Sequence, residues 1–361
     1  MICLLPFFLL LCLGSKILAQ TQFQVIGSET YASAINSSGI LVGSLNTSSY
    51  WGARGFFYSN GTLSVAPTRY GYGDYNNNDP SWTKSVTAIN NNGQWGGIYG
   101  TEILAFQFSG TYPTNASHGG ERGRVNAIND SGTAVGHNNQ LSGARIWTQT
   151  GSSSLPLLGG MSPSVIGRSM SSANGINNSG LIVGDSEPYY TSLGLPRKAV
   201  YWQSGSIYTI GTLGGEYSSA RAVNNNNLIV GTADTLTERH AFSYFNGSLL
   251  DLGTLGGNES AAFDVNDNGW VVGKSKTLLG DWAGFVYKDN IMYDLNSWLG
   301  PSLRDGWTIN EAVAINENGQ IAANGTKSGI SSALFITIPE PSSLSLLLAG
   351  GLVALAGRRK A

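Results

Sequence analysis

The sequence predicts an all-β fold, a seven-bladed β-propeller closed by its N-terminal strand, on three observations. One turn motif recurs seven times along the chain. Each copy is followed by an aromatic stretch and a second turn, enough for four antiparallel strands per unit. The first strand-like segment has no unit of its own and the last unit lacks a fourth strand, so each supplies what the other misses. Composition agrees. Gly fills 49 of 361 positions and charged residues only 12%, against about 25% charged in an ordinary soluble domain, which favours strands and turns over helices.

Taken in order, residues 1–20, "MICLLPFFLLLCLGSKILAQ", carry an apolar run from Leu4 to Leu13 and reach a small residue at Ala19. They read as a secretory signal peptide. Both cysteines, Cys3 and Cys12, lie inside it, so the exported body over 21–338 has no disulfide or thiolate chemistry. The formal charge of −2 gives no electrostatic footprint for a phosphate backbone, which argues against nucleic acid as a partner.

The repeats follow. They are "AINSSGILVG" from Ala34, "AINNNGQWGG" from Ala88, "AINDSGTAVG" from Ala127, "GINNSGLIVG" from Gly175, "AVNNNNLIVG" from Ala222, "DVNDNGWVVG" from Asp264 and "AINENGQIAA" from Ala314. Each has asparagine in third place: Asn36, Asn90, Asn129, Asn177, Asn224, Asn266 and Asn316. Successive asparagines are 39 to 54 residues apart, the length of a supersecondary unit. An asparagine at this place bonds its side chain to the backbone ahead, and the glycine three residues on takes a positive φ. Asn227 replaces that glycine in the fifth copy, and asparagine is the residue other than glycine that best tolerates the left-handed region. The asparagines are therefore structural caps.

Two stretches show the rest of a unit, "KAVYWQSGSIYTIGTLGG" from Lys198 and "HAFSYFNGSLLDLGTLGG" from His240. In each, aromatic and β-branched residues alternate with small or polar ones around a Ser-Gly or Asn-Gly turn. "FQVIG" from Phe23 resembles "YTIG" from Tyr208, and "ALFITI" from Ala333 ends the last unit. Pairing between those two segments would close a ring; in an open solenoid, Phe23 to Gly27 would pair with the first unit instead.

Residues 339–361 form a tail. Pro339, Glu340 and Pro341 precede an apolar stretch over 344–357, and Arg358, Arg359 and Lys360 follow it. As a helix the stretch spans about 21 Å at about 1.5 Å per residue, a short transmembrane helix with a cytoplasmic basic stop. The order Pro-Glu-Pro, apolar helix, basic cluster resembles the PEP-CTERM sorting signal of bacterial surface proteins. That resemblance implies an exported precursor held transiently at the inner membrane by the tail and processed by an exosortase. It also implies a host that makes exopolysaccharide and a destination at the cell surface or outside it. His240-Ala241-Phe242 with the following "DLGTLGG" resembles the HAF extracellular repeats, from which no activity transfers to particular residues.

Chemistry is sparse. "DVNDNG" from Asp264 matches the start of a calcium loop, but Ser275 stands where a bidentate acid is required, and the sister turns lack Asp264, so no metal or other cofactor is expected. His118, His137 and His240 share no ligand spacing. No Gly-x-Ser-x-Gly elbow and no phosphate-binding glycine loop occurs. Paired carboxylates for glycoside cleavage could come from Asp74, Glu102, Glu121, Asp185, Glu187 and Glu216, none in a motif. Tyr70, Tyr72, Tyr75, Trp82 and Trp95 cluster in the longest unit and could stack on sugar rings. The sequence therefore points to a non-catalytic binding or structural protein of the cell surface or extracellular matrix, with extracellular polysaccharide as the candidate ligand. The alternative is a polysaccharide hydrolase or lyase on the same scaffold. The two differ in whether acids, or amides and aromatics, converge in the central channel.

Overall fold

The computed structural model describes residues 21–46, 53–66, 83–99, 123–138, 143–148, 150–160, 171–187 and 196–338. Strand β1 is Gln22–Ser28, and the first unit contains β2 (Thr30–Ile35), β3 (Leu41–Asn46), β4 (Ala53–Ser59) and β5 (Thr62–Val65). The second has β6 (Thr83–Ile89) and β7 (Trp95–Tyr99); the third, β8 (Gly123–Ile128), β9 (Ala134–Asn138), β10 (Gly143–Thr148) and β11 (Gly151–Ser154). In the fourth are β12 (Ser171–Ile176), β13 (Ile182–Ser186), β14 (Lys198–Gln203) and β15 (Ser206–Gly211). The fifth holds β16 (Ser218–Val223), β17 (Ile229–Asp234), β18 (Arg239–Phe245) and β19 (Ser248–Gly253). In the sixth are β20 (Gly256–Val265), β21 (Val271–Thr277), β22 (Trp282–Lys288) and β23 (Ile291–Asp294), and the last has β24 (Thr308–Ile315), β25 (Gln320–Lys327) and β26 (Ile330–Thr337).

The expectation of seven separate four-stranded blades is corrected by the sheets themselves. Four four-stranded sheets stand alone: β2 to β5, β8 to β11, β12 to β15, and β24 to β26 with β1. The fifth and sixth units join in one sheet of eight strands, because β20 starts early enough to reach β18 in a parallel pairing of Arg239 with Glu259. Only β6 and β7 form the second unit's sheet among the described residues. The segments expected to be a signal peptide, 1–20, and a transmembrane helix, 344–357, lie outside the described residues, and among the described ones no helix is long and apolar enough to cross a membrane.

The core lies between neighbouring sheets. Val183 and Ala199 of the fourth unit pack with Ala220, Ile229 and Phe242 of the fifth, and the other apolar clusters likewise bridge consecutive units. The same holds where the chain ends meet: Phe56 and Tyr58 pack against Ala322, Ala333 and Phe335. There β1 pairs antiparallel with β26, Phe23 opposite Ile336 and Val25 opposite Leu334.

A serine or threonine joint repeats between units. The Ser218 hydroxyl donates to the Gly211 carbonyl at 2.6 Å and accepts from Ala199 N–H at 2.8 Å. Ser260 does the same with Gly253 and Ala241, and Thr30 with Gly27 and Ala333. This joint explains part of the "HAF…DLGTLGG" pattern. Ala241 supplies the N–H, Phe242 is fully buried, and His240 Nδ1 meets Asp251 Oδ2 at 2.8 Å. A helical segment over Leu295–Arg304 was not expected; it is broken at Gly300, where φ is 69°, and capped by Asp294, which accepts from Asn296 N–H at 2.8 Å.

Candidate functional site

The inner strands surround a central channel, a cavity of about 260 Å³, and the asparagine turns ring one end of it. All seven asparagines are buried. In each, Oδ1 accepts the N–H four residues ahead, as from Leu181 to Asn177 at 2.9 Å and from Leu228 to Asn224 at 2.8 Å. In each, Nδ2 reaches the next unit. Asn36 donates to the Asn90 carbonyl, Asn90 to Asn129, Asn129 to Asn177, Asn177 to Asn224, Asn224 to Asn266 and Asn266 to Asn316. Asn316 donates to the Asn36 carbonyl at 2.8 Å, and the circle is complete.

A second series sits one residue further on. Asn91 Oδ1 accepts from Ser37 N–H, Asp130 from Asn91, Asn178 from Asp130, Asn225 from Asn178, Asp267 from Asn225 and Glu317 from Asp267, at 2.7 to 3.0 Å. The acids at this end are thus acceptors for backbone N–H groups. Asp264 is another such case. Its carboxylate oxygens accept from Val265 and Ile315 N–H at 2.9 Å each, and burial pushes its pKa up to about 7 against those two bonds.

Within the channel each inner strand carries a register shift, and the residue at that place is Ser33, Thr87, Asn126, Asn174, Arg221, Phe263 or Val313. Asn126 Nδ2 donates to the Ala173 carbonyl, and Asn174 Nδ2 to the Ala220 carbonyl, which places units three, four and five side by side. Away from the turns a polar cluster forms on these three units. Asp185 accepts from Arg197 Nη1 at 2.7 Å, from Ser219 Oγ at 2.9 Å and from Asn174 Nδ2 at 3.2 Å. Glu187, also buried, lies 3.9 Å from Arg197 Nε. Of the six candidate carboxylates, the structure brings Asp185 and Glu187 together around one arginine. Glu216 is exposed elsewhere, and Asp74, Glu102 and Glu121 lie outside the described residues.

Trp95 is buried, edge-on to Phe57 with ring centroids 5.5 Å apart, a packing role away from the channel. Tyr70, Tyr72, Tyr75 and Trp82 lie outside the described residues, as do Pro339, Glu340, Pro341, Arg358, Arg359 and Lys360.

The sequence reading gave no role to two arginines and a histidine beside this cluster. Arg124 and His137 are cross-strand partners on β8 and β9, and Arg221 stands two units on. Burial first, then Arg221, lowers the Arg124 pKa. Burial, Arg124 and Arg197 lower that of His137, against an opposing pull from Asp185. Aligning the repeats exposes the signal: at the place of Arg221 no other unit carries a charge.

Residues 337–360 match the PEP-CTERM protein-sorting motif. The chain carries a sorting signal. The motif implies export to the cell surface or beyond through an exosortase-type system. Comparison with curated proteins gives no match. Among solved structures, virginiamycin B lyase from Staphylococcus aureus is similar at a TM-score of 0.51 and 10% identity, over 88% of this chain and 100% of that one. The β-propeller domain of the Trilobed protease from Pyrococcus furiosus is similar at 0.45 and 9% identity, over 86% of this chain and 94% of that one. The first likeness shows an all-β propeller fold and nothing of its chemistry.

Proposed function

We propose that this propeller is a non-catalytic binding or structural protein of the cell surface or extracellular matrix, with extracellular polysaccharide as its ligand. Its tail would hold the precursor at the inner membrane until the exosortase-type enzyme acts. The observation that carries the reading is the chemistry of the channel. Asparagines are the commonest polar residues of its lining, and Asp130, Asp267 and Glu317 are engaged as acceptors of backbone N–H groups. Amides and hydroxyls suit the hydroxyls of a sugar, whereas acid and base work needs a carboxyl free to take and give a proton. Asp185 likewise accepts from three side chains, which suits it to holding them in place.

The test is a glycan array probed with the full-length protein, with polysaccharide cleavage assays run on the same preparations. Retention of a polysaccharide without shortening it is the expected result. Release of reducing ends or of unsaturated sugar products would replace this reading with the hydrolase or lyase, and Asp185→Asn and Glu187→Gln would then identify its acids.

A further inference from the structure

The channel holds cations that the fold does not use. Among the described residues, neither the Arg124 nor the Arg221 guanidinium makes a hydrogen bond or an ion pair, and both residues are exposed. Arg221 occupies the register-shift place that lines the channel. Arg124 stands on β8 two residues before the channel-lining Asn126, and the fourth unit's Ser172 and Asn174 lie between the two arginines' strands, bonded to the third unit through Asn126 and to the fifth through Ala220. The nearby carboxylate, Asp185, is already taken by Arg197. His137, opposite Arg124, has a buried Nδ1 with no hydrogen-bond partner.

After burial, the Arg221 charge lowers the Arg124 pKa, and the carboxylate bonded to Asn174 between them, Asp185, is spent on Arg197, so the empty channel holds like charges without a counter-charge of their own. Arginines usually serve structure by forking onto a carboxylate or a backbone carbonyl, and these two do neither. The cost is recovered when an anion enters, because guanidinium groups bind carboxylate and sulfate oxygens in pairs, and a channel excludes much of the competing water. We propose that Arg124 and Arg221 form the two sides of an anion seat in the channel, which takes the carboxylate or sulfate group of an acidic saccharide. The hydroxyl and amide of Ser172 and Asn174 lie between them to meet the sugar. This inference rests on the polysaccharide reading and names its ligand class.

The test uses full-length protein, titrated calorimetrically with a uronic-acid oligosaccharide, a sulfated oligosaccharide, a neutral glucose oligosaccharide and inorganic sulfate. The wild type should bind one or both acidic oligosaccharides in preference to the neutral one, and added salt should weaken that binding. Arg124→Gln and Arg221→Gln should each reduce the affinity about tenfold or more, the size expected of a lost charge-assisted pair. Arg239→Gln, which breaks an outer pair with Asp234, should leave it unchanged. Thermal melting of the same variants checks the fold, and neither channel substitution should lower the midpoint.

Neutral and acidic oligosaccharides bound equally, and undiminished in the double variant, would overturn the anion seat and leave the polysaccharide reading in place. Sulfate bound by the wild type and lost in the double variant, with no oligosaccharide bound, would uphold the seat and overturn the polysaccharide reading. Binding of none of the four probes would overturn both.

Discussion

At the scale of single residues, the turn is decided by two dihedral demands. Gly180 has φ 84° and Asn227, its counterpart in the fifth unit, has φ 64°. A side chain added at Gly180 would meet nothing within 4 Å, so any cost of substitution there comes from the backbone alone. Gly180→Val should therefore destabilise by about 1 to 3 kcal/mol, and Gly180→Asn by clearly less, since Asn227 already fills the role. Equal melting midpoints for the two variants would contradict this. Asp264 makes a pH prediction. Its folded pKa is raised to about 7 from 3.8, so between those values the unfolded chain has lost a proton that the folded chain keeps. Stability from this group therefore falls as pH rises through that window, by about 1.4 kcal/mol per unit at most, and is level on either side. Urea midpoints measured from pH 4 to 8 should show the wild type losing stability relative to Asp264→Asn across the window. A constant difference would refute the assignment. These turn residues were legible in the sequence because asparagine and glycine report a local conformation. Arg124, Arg221 and His137 were not, because their meaning comes from neighbours two units apart.

Elements are held to one another by the hydroxyl joints as well as by apolar faces. Ser218 is fully buried and serves a donor and an acceptor of the preceding unit at once, Ala199 N–H and the Gly211 carbonyl. Ser218→Ala leaves both without a partner in a dry place, at a cost of about 1 to 3 kcal/mol. Ser218→Thr keeps the hydroxyl, and Thr30 shows that the joint accepts a methyl. The alanine variant should melt below both the wild type and the threonine variant, and amide exchange at Ala199 should quicken with it. No loss of stability in the alanine variant would deny the joint its role. Strand positions were legible here from alternation around Ser-Gly and Asn-Gly turns. The joint was not, because a serine ahead of a strand has no pattern until the sheets are set beside one another. The helix over Leu295–Arg304 was missed for a similar reason. Gly300 and Pro301 inside it mask its period, and its signal was the Asp294 cap.

For the whole molecule, the decisive fact is that the two ends of the body lie in one sheet. Strand β1 covers the edge of β26 from Gln22↔Thr337 to Ser28↔Ser332, and Gly27 and Thr30 make with Ala333 the same joint that Ser218 makes inside the chain. The sheet count could not be read from the repeats, since the pairing of Arg239 with Glu259 that merges two units depends on where β20 begins. The junction could, because "FQVIG" resembles strands that close their own units. Deleting Gln22–Ser28 should bare the N–H and carbonyl groups of β26 as an open edge and remove Ile26 from the cluster that joins the last unit to the first. An open edge recruits other chains, and the lost cluster weakens contacts on which the asparagine circle also depends. The truncated protein should therefore melt at lower temperature and scatter light on standing, and a synthetic peptide of residues 21–28 should restore part of the midpoint by strand addition. If the truncated protein melts like the wild type and stays monomeric, the junction contributes little, and the circle from Asn316 to Asn36 must hold the ends together without it.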